Sequence, residues 1–121
     1  MNELVTLILA LIAHELGHYV HFLAAGFNPR FEWIGVGPCV NPGNKRMPAK
    51  VIIANVFFAV SVGIIIIALL HPSDFLIFAY IVGCFMDLNN CQMLLVYIWR
   101  KKITFNTNVN AIKVVIDKNL A

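Results

Sequence analysis

Residues Leu4 to Phe27 read LVTLILALIAHELGHYVHFLAAGF. The run exceeds the roughly 20 apolar residues a helix needs to cross a hydrocarbon core. It contains no Lys or Arg, yet it holds His14, Glu15, His18 and His21. Ionisable groups inside lipid are expensive and, when present, face a site or a bundle interior. One stretch therefore points both to a membrane setting and to a cluster of chemistry-bearing side chains.

Two more runs, Val51 to Leu70 and Phe75 to Trp99, have the same apolar character. Of the 121 residues 60% are hydrophobic and 12% charged, too few polar groups to cover a soluble chain of this size. The expected fold class is an all-α membrane protein. Its three transmembrane helices, at about 4–27, 51–70 and 75–99, form a core over residues 1–99, with a tail over 100–121. Met1-Asn2-Glu3 offers no basic leader and histidines interrupt the apolar run, so the first span is expected to stay in the mature protein.

The net charge of +3 matters less than where the charges fall. Arg30, Lys45, Arg46 and Lys50 follow the first span, and Arg100, Lys101, Lys102, Lys113 and Lys118 follow the third. In a three-span chain all nine lie on one side. The positive-inside rule makes that side the cytoplasm, with the N-terminus outside and the 28–50 loop and C-terminus within. No aromatic-basic interleaving accompanies these charges, so nucleic acid is not an expected partner. Cys39, Cys84 and Cys91 form no paired framework, and no structural disulfide is expected.

Between the first two spans Pro29, Gly35, Gly37, Pro38, Pro42, Gly43 and Pro48 break any helix. Phe31 to Val36 reads as a short strand and Asn41-Pro42-Gly43-Asn44 as a turn, predicting a β-hairpin-like loop held against the membrane. In the tail, Thr107 or Asn108 is placed to cap a short helix whose stripe of Val109, Ile112, Val115, Ile116 and Leu120 would rest on the inner membrane face.

On a helix, residues four apart differ by about 40° and 6 Å, so His14 and His18 can offer both imidazoles to one ion. Glu15, about 100° round, can reach a water on that ion without ligating it. The competing reading is that the histidines only join helices by hydrogen bonds. A third ligand has to come from another span, and Asp87 is the one carboxylate deep in a second span. Counted from the basic ends, His18 and His14 lie about 10 to 16 Å deep and Asp87 about 18 Å, so they can share a level. Pairing of Asp87 with Asn89, Asn90 or Gln92 is the alternative, while His21, Cys84 and Cys91 are weaker rivals as ligands.

These residues resemble the site-2 protease family of intramembrane zinc metalloproteases. The likeness comprises His14-Glu15-Leu16-Gly17-His18 in an early span, Ala25-Gly26, and Phe31-Glu32-Trp33-Ile34-Gly35-Val36-Gly37-Pro38, similar to the family's membrane-associated hairpin. Asn55 resembles an Asn that opens the family's next span, and Asp87 stands where the family has the aspartate of Leu-Asp-Gly. Here Met86 and Leu88 flank it, and no Gly-Pro precedes Asn55.

The resemblance implies one bound zinc ion held by His14, His18 and Asp87, with Glu15 as the catalytic base. It implies substrate or oxyanion contacts from Asn55, Ile34, Gly35 and Val36, and regulated intramembrane proteolysis of a membrane-protein substrate within the lipid bilayer. The alternatives are a non-hydrolytic metal-binding transporter or sensor, or an inactive relative of the protease.

Overall fold

The first helix, α1 (Glu3–Ala24), starts where Asn2 places its side-chain oxygen on the backbone N–H groups of Leu4 and Val5, at 2.7 and 3.4 Å. This satisfies donors that a helix start leaves open. It stops at a glycine. Gly26 has φ 89, the left-handed region that favours glycine, and the Gly26 and Phe27 N–H groups donate back to the Leu23 and Phe22 carbonyls at 3.2 and 3.0 Å. The Phe27 ring meets the Phe22 ring edge-on, the apolar contact that accompanies this kind of stop.

Our structure is a computed structural model that describes residues 2–34, 37–43, 46–100 and 104–109. After α1 come strands β1 (Arg30–Ile34), β2 (Gly37–Asn41) and β3 (Met47–Pro48), then α2 (Ala49–Leu70), α3 (Asp74–Gly83), α4 (Phe85–Trp99) and β4 (Asn108–Val109). The two long helices pack along each other, and Gly17 meets Ala59 so closely that a Cβ at 17 would lie 3.2 Å from the Ala59 Cα. They run antiparallel, since Glu3 at the start of α1 lies 3.6 Å from His71 at the end of α2.

Helix α1 reverses the pattern of a water-soluble helix. Its buried face is Thr6, Ala10, His14, Gly17, His18 and Phe22, small or polar with one exception, whereas Leu4, Ile8, Ile12, Leu16, Val20 and Leu23 point outward. Water would penalise that surface, and lipid does not. Both α1 and α2 are long and apolar enough to cross a membrane.

The expected third span is not one straight helix. It is the pair α3 and α4, bent by 67° at Cys84, and it counts as a membrane crossing only if both pieces are taken together. Gly83 precedes the break and is the poorest helix former in the stretch. Ser73 starts α3, its Oγ accepting from the Leu76 N–H at 3.3 Å. The bend directs α4 against the N-terminal half of α2, with Asp87 in its first turn.

Apolar clusters lie on either side of the bend. Ala10, Ile67, Leu76, Tyr80 and Cys84 form one, and Phe22, Phe27, Met47, Ala49, Ile52, Leu94, Tyr97 and Val109 form the other. Between them lie the two buried histidines of α1.

Strands β1 and β2 pair antiparallel, with Arg30 opposite Asn41 and Ile34 opposite Gly37. The chain thus reverses between Ile34 and Gly37, where the sequence suggested one continuous strand to Val36. Of the turn expected at Asn41 to Asn44, the first three residues are described: Gly43, at φ 96, donates its N–H to Asn41 Oδ1 at 2.8 Å, and Asn44 lies outside the described residues. Phe31 stacks on Tyr19 of α1 at 4.9 Å between ring centroids, while Trp33 is 75% exposed.

Beyond α4, β4 pairs with β3, Met47 opposite Val109 and Pro48 opposite Asn108. Asn108 and Val109 therefore lie in a strand. The remainder of the expected tail helix, 110–121, falls outside the described residues. Pro48 supplies no side-chain cap to α2, and backbone carbonyls replace it: Ala49 N–H donates to Thr107 at 3.0 Å and Lys50 N–H to Phe105 at 2.9 Å.

Candidate metal centre

His14 and His18 are one turn apart on an unbroken stretch of α1, which turns both rings toward the bundle interior. Asp87 reaches them from the first turn of α4, where the helix start favours a carboxylate. His14 Nε2 and His18 Nε2 lie 2.7 and 2.8 Å from Asp87 Oδ2 and 3.0 Å from each other. Neighbouring ligands of a four-coordinate ion with bonds of about 2.0–2.2 Å stand about 3.3–3.6 Å apart, so the three atoms converge at hydrogen-bond spacing and would move apart by about half an ångström to take an ion between them. Among the described residues this is the one group of three His, Cys, Asp or Glu side chains able to hold a metal ion.

Proton bookkeeping around His18 tests whether the group fits a cation. Asn55 of α2 is 2% exposed, and its side-chain N–H₂ donates to the His18 carbonyl at 3.1 Å and to His21 Nδ1 at 3.0 Å. With both amide hydrogens engaged, Asn55 Oδ1 faces His18 Nδ1 and accepts its proton. A neutral His18 then has a bare Nε2, directed at Asp87 Oδ2 and at His14 Nε2. Acceptor lone pairs so close together repel, and only positive charge between them, a metal ion or an added proton, relieves this. The two imidazoles and one carboxylate fit a divalent ion such as zinc with a ligand position left open.

The Glu15 carboxylate lies 3.9 Å from His14 Nε2 and is 27% exposed, beside the triangle without joining it. That is where a base serving a water on the ion would sit. Asp87 is 30% exposed at its side chain, so the centre is open on one side.

Other sequence candidates fall elsewhere. Asn55 lies behind His18, both its polar atoms engaged with α1, in a position that orients the ligand. Ile34 takes part in the β1–β2 ladder, and Gly35 and Val36 lie outside the described residues. His21 packs beside Phe58, its Nδ1 toward Asn55 and away from the triangle. Cys84 Sγ lies 3.6 Å from His14 Nδ1, the side of the ring opposite Nε2, and all three cysteines are free.

Sequence reasoning missed two residues here. Tyr80 is fully buried with its hydroxyl on His14 Nδ1 at 3.0 Å, and its ring lies on Gly63 of α2. A tyrosine in an apolar span one turn before a Gly83-Cys84 pair was the available signal. Its partner could not be read without the bend.

An open apolar groove lined by Phe57, Leu88, Leu95 and Trp99 runs along α4 from the residue after Asp87. Cys39 on β2 connects the hairpin electrostatically to the centre. Burial pushes its thiol up first, and the Glu15, Glu32 and Asp87 carboxylates push it further.

Compared with protein-family models, curated proteins and solved structures, this chain matches none.

Proposed function

We propose that this chain is an intramembrane zinc metalloprotease that cleaves a transmembrane or membrane-proximal segment of another protein. The observation that carries the reading is Glu15 standing beside a triangle of His14, His18 and Asp87. A metal transporter or sensor needs the triangle but has no use for a base next to it. Zinc bound there would lower the pKa of a water toward about 7 and polarise a carbonyl.

The chain's own residues account for the rest. Glu15 takes a proton from the attacking water as its oxygen bonds to the scissile carbonyl carbon. The same proton goes to the amine nitrogen as the carbon–nitrogen bond breaks. A substrate helix hides its carbonyls in its own hydrogen bonds and has to unwind first. The open edge of the β1–β2 hairpin offers a place for the extended segment to pair, and the groove beside Asp87 offers an apolar approach. The one-sided basic residues support an outside N-terminus with the hairpin and tail in the cytoplasm. Labelling of a Ser73→Cys probe from the cytoplasmic side alone would refute that orientation.

The deciding experiment pairs metal analysis of the purified chain with hydrolysis of single-span test peptides, for wild type and Glu15→Gln. Retained zinc with a roughly 10²–10⁴-fold slower cleavage is expected of the variant. Zinc binding in wild type without cleavage of any peptide would favour the non-hydrolytic reading.

A further inference from the structure

We propose that Tyr80 is a positioning residue that fixes His14 with its Nε2 bare toward the metal centre, using a slot in α2 made by Gly63. The proposal rests on the zinc reading for its purpose, though its geometry stands by itself.

The Tyr80 hydroxyl has a single hydrogen, which it donates to the α2 carbonyls of Ala59 and Val60, at 3.1 and 3.0 Å. The proposal keeps that hydrogen on the carbonyls, so that the oxygen accepts from His14 Nδ1, 3.0 Å away. In this arrangement the proton of a neutral His14 lies on Nδ1, leaving Nε2 as a lone pair aimed at Asp87 and His18. The two rings meet edge-on, 5.9 Å between centroids at 78°, so the contact is directional. Cys84 Sγ, at 3.6 Å from the same nitrogen, is the longer and weaker alternative.

Carbonyls inside a helix are normally covered by the side chain one turn on. At residue 63 there is none, and the Tyr80 ring occupies the space where a Cβ would be. Gly63 thus admits the hydroxyl to carbonyls that the helix ladder already satisfies. Removing the hydroxyl strands no backbone group. That separates a positioning role from a packing role.

His14 is in this way held at both edges, Nδ1 by α3 and Nε2 by α4, with the Cys84 bend between. His18 has its Nδ1 held by Asn55. Partners that orient a ligating imidazole are worth about 10–100-fold in metal affinity.

The test uses Tyr80→Phe, which keeps the ring, and Gly63→Ala, which keeps the hydroxyl but displaces it. Zinc affinity is measured by chelator competition, and ring-¹⁵N spectra of the histidines are recorded in metal-free protein at a pH where imidazoles are neutral. In wild type His14 should be protonated at Nδ1. Both variants should lose about 10–100-fold in zinc affinity, and His14 should become a mixture of tautomers while His18 stays unchanged. An affinity within about threefold of wild type for Tyr80→Phe, with the His14 tautomer unmoved, overturns the proposal. Should wild type bind no zinc, the protease reading fails, and the tautomer comparison alone still decides the role of Tyr80.

Discussion

Helix α1 and the α3–α4 pair supply the same centre by opposite means. In α1 the candidate ligands are one turn apart on a continuous helix, so their convergence follows from local geometry alone. In the pair the ligand stands just past a 67° bend, and its placement depends on how two short helices lean on α2. A site can thus be half prescribed by the spacing of a motif and half by tertiary packing. The second half is the more vulnerable to change at a distance.

The comparison would break outright if Asp87 were dispensable. Asp87→Asn should lower zinc affinity by more than about 100-fold, beyond the effect of losing an orienting partner, while His21→Ala retains it. Chelator competition measures both, and an Asp87→Asn chain that binds as well as wild type would reduce the centre to the α1 motif. A smaller effect is expected from Asn55→Ala, which leaves His18 without its Nδ1 acceptor. Its affinity should fall about 10–100-fold.

Packing supplies the next test. Gly17→Val would push α1 from α2 at the Ala59 contact, and overpacking of this kind costs about 1–3 kcal/mol. Thermal unfolding in detergent should register that loss, with affinity for added zinc falling in step.

The smallest effect concerns Cys39. The Glu15 carboxylate helps hold this thiol up, so Glu15→Gln lowers its pKa, enlarges the thiolate fraction and speeds alkylation at neutral pH. The rate is read in a Cys84→Ala, Cys91→Ala background. An unchanged rate would mean that the hairpin does not sense the centre.

What was legible in the sequence follows the same division. The membrane class, the two long helices and the His14–His18 pair depend on length, hydropathy and spacing within one element, and the residues declare these directly. Asp87 was reachable because a carboxylate inside a long apolar run is rare enough to single out. The bend at Cys84 was not, since Val82-Gly83-Cys84 is as apolar as its surroundings and a lone glycine does not oblige a helix to break. Tyr80 was lost with it, for its contacts with His14 and Gly63 join three separate helices. Asn55 was visible as a polar residue in a span, but whether it faces a substrate or a ligand depends on the rotation of α2 against α1. The pairing of Met47 and Pro48 with Asn108 and Val109 joins residues far apart in the chain, which local patterns do not reveal.

That last pairing sets an order of assembly. The opening N–H groups of α2 are closed by the Phe105 and Thr107 carbonyls, which follow the last helix. During synthesis α1 and α2 emerge long before those residues exist. The helix that carries Asn55 therefore has its first turn closed by these carbonyls only once the residues after α4 are made. A nascent chain halted between α4 and residue 105 would hold His14, His18 and Asp87 while its second helix still lacked the carbonyls that close its beginning.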